Sequence, residues 1–96
     1  MTKNIKITYL KKAQKFLLKN SNLIQESEVD TLMILAIKRK IYKQNNNLDI
    51  KDLKNNLKGK YRVRKGKIRI IFELKDEELI IETIIEDIDF RGNIYR

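Results

Sequence analysis

The chain contains no cysteine, which excludes disulfides and thiolate chemistry. It contains no histidine either. That removes the usual general base and the commonest metal ligand, and it argues against a transition-metal site. No apolar run approaches the ~18 residues of a membrane span, and no signal-peptide pattern opens the chain, so the expected localisation is cytoplasmic, with no membrane partner. Low-complexity runs and internal repeats are absent. With hydrophobic residues at 42% of 96, the sequence reads as one folded domain, 1–96, rather than a disordered segment. A chain this short buries somewhat over ~60% of its unfolded surface, so its core is modest.

The formal charge is +9, unevenly spread. Residues 51–69 hold nine Lys/Arg and one acid, Asp52, whereas residues 70–90 hold eight acids and one base, Lys75. A basic segment beside an acidic one makes a directed field, and nucleic acid is the expected partner of the basic part.

The basic stretch Leu57 to Phe72, LKGKYRVRKGKIRIIF, reads as a β-hairpin turning at Gly66. A Lys65-Gly66 loop places Arg64 opposite Lys67 and Arg62 opposite Arg69; a slip by two places Arg64 opposite Arg69. Either register puts Arg62, Arg64, Lys67 and Arg69 on one face and Tyr61, Val63, Ile68, Ile70 and Phe72 on the other, because side chains alternate with period two. Like charges opposite each other in a sheet cost roughly 0.2–1 kcal/mol per pair. Two readings follow: a solvated face that happens to be basic, or a face on which a polyanion offsets the repulsion.

Ahead of this hairpin, Ile5 and Ile7 flank Lys6 in a strand expected over Lys3–Thr8. Leu10, Ala13, Phe16 and Leu17 then follow helical spacing. Lys11, Lys12, Lys15 and Lys19 fall opposite them, as a solvated face or an outer phosphate-tracking surface. Ser21-Asn22 ends this helix. A second begins at the capping-box spacing Ser27–Asp30 or near Asn22, and its stripe is Val29, Leu32, Met33, Leu35, Ala36, Ile37 and Ile41. Lys38, Arg39, Lys40 and Lys43 near its end favour the helix dipole and need no ligand. After Asn45–Asn47, Leu48, Ile50, Leu53 and Leu57 suggest a tethered connector with a helical turn at Asp49–Asn56, where Asp49 and Asp52 read as connector residues. The second hairpin strand runs to Leu74, a turn follows at Asp76-Glu77-Glu78, and Leu79 to Ile88 is aliphatic enough for a central strand. The expected fold is α+β: a mainly antiparallel twisted sheet, an N-terminal helical hairpin on one face and the basic face open.

Strand, helix, helix and three strands, with LKGKYRVRKGKIRIIFE and FRGNIYR in the last fifty residues, resembles the RelE/ParE superfamily of type II toxin–antitoxin toxins. The RelE branch implies a ribosome-dependent mRNA endonuclease, and the ParE branch implies a DNA gyrase poison. The resemblance assigns Arg62 and Arg64 to the site's two basic hairpin positions and Arg69 to the arginine of its glycine–x–arginine strand. Arg91 and Tyr95 match its C-terminal arginine and tyrosine. The presence of all five favours the endonuclease branch. Lys58, Lys60, Lys65, Lys67 and Arg96 are the accompanying phosphate-binding candidates. The sequence departs from the pattern at Phe90, where many relatives have histidine, which removes one proton donor. Glu86, Asp87 and Asp89 are unusually acidic for such a site, and Asp87 and Asp89 are placed to pair with the arginines.

Cleavage by 2′-OH attack on the adjacent phosphate needs a base, an acid for the leaving 5′-oxygen, and charge stabilisation. Clustered arginines supply the last, bidentately. Tyr95 is the candidate proton-transfer group, if arginines lower its pKa from ~10; an arginine, with a pKa above ~12, is a poor base. No metal or cofactor is expected. The implied partners are a cognate antitoxin, the ribosome and mRNA. Structural alternatives accompany these roles: Tyr95 as an anchor for the C-terminus, Arg91 paired with Asp87 or Asp89, Tyr61 and Phe72 as core, Lys65 and Lys67 as solvated turn residues. Two other functions remain open: a ParE-like gyrase inhibitor, and a catalytically degenerate module that binds RNA or an antitoxin.

Overall fold

In a computed structural model, which describes residues 3–53 and 59–92, the Ile5–Lys6–Ile7 alternation forms strand β1 (Asn4–Tyr9). Helix α1 (Lys11–Lys19) follows directly, burying Ala13 and Phe16. Helix α2 (Glu26–Lys40) buries Val29, Leu32, Met33, Ala36 and Ile37. Its start differs from both expected positions. Gln25 is the N-cap, and the Glu28 carboxylate accepts the Gln25 backbone N–H at 3.2 Å. Acidic Glu26 and Glu28 then lie in the first turn and Lys38, Arg39 and Lys40 in the last, both favourable to the helix dipole.

Among the described residues four strands follow the helices rather than three. The expected helical turn after Asn47 is instead strand β2 (Asp49–Asp52), as far as the described residues extend. Ile50 faces Val63 across an antiparallel pairing with β3 (Lys60–Lys65). Packing half-buried Ile50 against the core and pairing four backbone residues outweighs the weak helical tendency of so short a segment. Strands β4 (Ile68–Asp76) and β5 (Ile80–Phe90) complete one sheet of order β1-β5-β4-β3-β2. Among the described residues only β1 and β5 pair in parallel; the other neighbours are antiparallel.

The β3–β4 hairpin takes the slipped register, with Lys65 opposite Ile68 and Arg64 opposite Arg69. Gly66 and Lys67 make the two-residue turn. Gly66 has φ +58, as the first position of a hairpin turn with positive φ requires. Lys67 is thus a turn residue and does not belong to the paired basic face.

One side of the sheet carries the core. Val63, Ile70, Phe72 and Ile85 are fully buried there, against Ala13, Val29, Met33 and Ala36 of the helices. Phe16 and Phe90 meet edge to face at 5.3 Å, and Tyr61 stacks at a tilt on Phe72 at 5.7 Å. Thr83 is also fully buried, and its hydroxyl has no hydrogen-bond partner among the described residues. An unpaired buried hydroxyl is costly, so Thr83→Val is expected to stabilise the fold by about 1 kcal/mol, read as a higher urea midpoint with unchanged slope.

Tyr9 locks the end of β1 to α2: its hydroxyl donates to the Asp30 carboxylate and lies 3.2 Å from the Glu26 carbonyl. Burial, then the Asp30 hydrogen bond and charge, pushes the phenol far above its ordinary value of 10.0. The folded state therefore holds this proton more tightly than the unfolded chain. The resulting stability is complete below pH ~10 and declines as pH rises above it. Urea unfolding at about pH 9 and 11 should show that decline, and Tyr9→Phe should flatten it.

Candidate functional site

The open side of the sheet is organised in rows that run across the strands. In one row Asp49 of β2 is opposite Arg64 of β3, Arg64 is opposite Arg69 of β4, and Arg69 is opposite Asp89 of β5. In the next, Lys51, Arg62, Ile71 and Asp87 follow one another in the same way. The arginines thus lie side by side at the middle of the face, as alternation required, with a carboxylate at each end of their row. Of these carboxylates, Asp49 bonds Arg62 and Asp89 accepts the Phe90 backbone N–H.

Arg62 is 7% exposed, and its Nη2 donates to Asp49 Oδ1 at 3.0 Å. Its place in this site is to brace β2 against β3. Arg64 and Arg69 are half-buried with more of their surface open than Arg62, and the Nε of each is covered by the sheet. Lys60 binds Glu86 at 2.9 Å, and that hydrogen bond holds its ammonium above the ordinary lysine value. A bulge makes this possible. Register shifts between Ile71 and Phe72, so Ile71 pairs with Asp87 and Phe72 with Ile85, leaving Glu86 as the extra residue on β5.

Arg91 closes the hairpin end of the face. Its backbone N–H donates to the Lys67 carbonyl at 2.8 Å, and its Nη1 reaches the Gly66 carbonyl at 3.4 Å. The pairing considered for Arg91 with Asp87 or Asp89 is replaced by this contact. Asp87 instead pairs with Lys12 at 3.3 Å, and Asp89 accepts the Phe90 backbone N–H at 2.7 Å. Gly66, Lys67, Arg69, Phe90, Arg91 and Gly92 line an open concavity of about 560 Å³. Lys65 and Lys67 are exposed beside it. Phe90 turns its ring into the core onto Phe16, so the position where the resemblance calls for histidine supplies packing. Tyr95, Lys58 and Arg96 lie outside the described residues.

Asp49 is the site residue that sequence reasoning missed. The signal was present: Asp49-Ile50-Lys51 alternates like a strand, but with too few residues to declare itself. Among the described residues no group of three Asp or Glu side chains is arranged to hold a metal ion, and no helix is long and apolar enough to cross a membrane.

The helical hairpin on a sheet of this order is a fold shared with solved toxins. A copper-bound mutant toxin from Helicobacter pylori superposes with a TM-score of 0.66 at 18% identity, covering 93% of this chain and 97% of that one. YafQ from Escherichia coli gives 0.65 at 14% identity, over 99% and 100% of the two chains. The RelB–RelE antitoxin–toxin complex of Methanococcus jannaschii gives 0.51 at 20% identity, over 92% and 94%. No family profile and no curated protein matches at the level of sequence.

Proposed function

We propose that this chain is the toxin of a type II toxin–antitoxin system and a ribosome-dependent mRNA endonuclease. The observation that carries the reading is Arg64 directly opposite Arg69 on the open face, with Arg91 and Arg69 lining one concavity at the hairpin end. Guanidinium groups carried on two paired strands and just beyond the end of a third suit a phosphate whose charge grows during 2′-OH attack. The fold is shared with toxins and with a toxin solved beside its antitoxin, which supports a cognate antitoxin as partner; an acidic one suits the basic face. In this mechanism Arg64, Arg69 and Arg91 stabilise the phosphorane. Tyr95 moves a proton, and Arg62 positions β2 rather than touching RNA. With no histidine in the chain, the chemistry is slow in isolation and depends on the ribosome to align the 2′-OH. No cofactor takes part.

A second reading, a module that binds RNA or antitoxin without cutting, draws support from specific contacts. Asp49 engages Arg62, Asp89 lies opposite Arg69, and Phe90 is committed to the core. Induction in cells with primer extension on a translated message separates the two. Wild type should arrest growth and cut within codons, while Arg69→Ala and Tyr95→Phe should do neither. Arrest without cuts would redirect the search to DNA gyrase, and a harmless wild type would favour the binding module.

A further inference from the structure

No acidic residue occurs before Glu26, whereas residues 1–25 carry six lysines. Three of these have acidic neighbours: Lys3 pairs with Asp76, Lys6 lies opposite Glu82, and Lys12 pairs with Asp87. Lys11, Lys15 and Lys19 have no acidic partner among the described residues, and all three are exposed. They follow one another at i, i+4 and i+8 along α1 and therefore form a straight ridge, with charges about 6 Å apart. Lys19 in the last turn favours the helix dipole, but the rest of this arrangement works against the helix. Like charges at i, i+4 repel, and lysines in a first turn oppose the helix dipole; α1 has no acid in that turn to relieve them. Helix α2 in the same chain is charged the other way round, with acids first and bases last.

We infer that the Lys11–Lys15–Lys19 ridge is a second polyanion surface, which takes the phosphate backbone of double-helical RNA separately from the arginine face. Regularly spaced cations on a rigid helix match a regularly spaced line of phosphates and need no base contacts. A lipid surface would require an exposed apolar face. The apolar side of α1 is instead buried against β5 through Ala13 and Phe16, and Leu18, 82% exposed, is the one large apolar side chain that α1 leaves open.

The test is fluorescence anisotropy of a labelled blunt RNA duplex with the full chain, titrated at salt from roughly 50 to 200 mM. Replacing Lys11, Lys15 and Lys19 together by glutamine should reduce the slope of log affinity on log salt by about 2 to 3, and Lys15→Gln alone by about 1. Thermal unfolding of the triple variant should not fall, since repulsion is removed. The same difference is expected in an Arg69→Ala background, so failure of the cleavage reading and failure of the ridge are told apart. An unchanged slope in both lysine variants overturns the inference. So does displacement of the duplex by polyglutamate at equal charge, which would assign the ridge to an acidic protein.

Discussion

Arg69→Ala is expected to lower cleavage on programmed ribosomes by about 10²–10³, the usual loss when one preorganised donor to a developing negative charge is removed. The size of the effect follows from position. Arg69 lies on β4, the middle strand, directly opposite Arg64, and it also lines the concavity that Arg91 closes. A side chain held on a paired central strand loses little freedom on meeting a phosphate, so its contribution is largely realised in the transition state. Arg69→Lys keeps the charge but loses the planar fork, and an intermediate loss is expected. Stability should change little, because relief from Arg64 opposes the loss of the neighbouring Asp89. Single-turnover cleavage rates measured beside thermal unfolding decide the matter. A rate within a few-fold of wild type, with the fold intact, would remove Arg69 from the chemistry.

Phe72→Ala should produce the largest loss of stability, about 3–5 kcal/mol. Phe72 is fully buried on the core side of β4, between Tyr61 on β3 and Ile85 on β5. Its ring fills the space where the bulge reorganises the β4–β5 pairing, so neighbouring backbone is poorly placed to collapse into the cavity. A domain of this size is stable by roughly 5–15 kcal/mol in total, and the variant should therefore be partly unfolded at physiological temperature. Urea denaturation measures this directly. A loss under about 1 kcal/mol would mean that the sheet is held mainly by the helices and not by this ring.

The faces of the hairpin were legible because alternation is a local property. Arg62, Arg64 and Arg69 had to share a side whatever their partners were. Register was not legible to the same degree. The slip of two leaves every face unchanged, and the choice between the two registers rests on where Gly66 falls in the turn. The same parity places Phe90 on the core side, one step from Asp89 and Arg91, although the resemblance drew it toward the site.

The composition and periodicity of this chain determined a basic sheet face without thiol or imidazole groups, opposite a core roofed by two helices. Only the tertiary structure decided what surrounds the arginines. Asp49 meets Arg62 from a strand too short to be read alone, Asp89 falls opposite Arg69 in the β4–β5 register, and Glu86 reaches Lys60 through a bulge. Each of these placements depends on pairing between segments distant in sequence, whose free energy belongs to the assembled sheet and leaves no periodic trace in either partner.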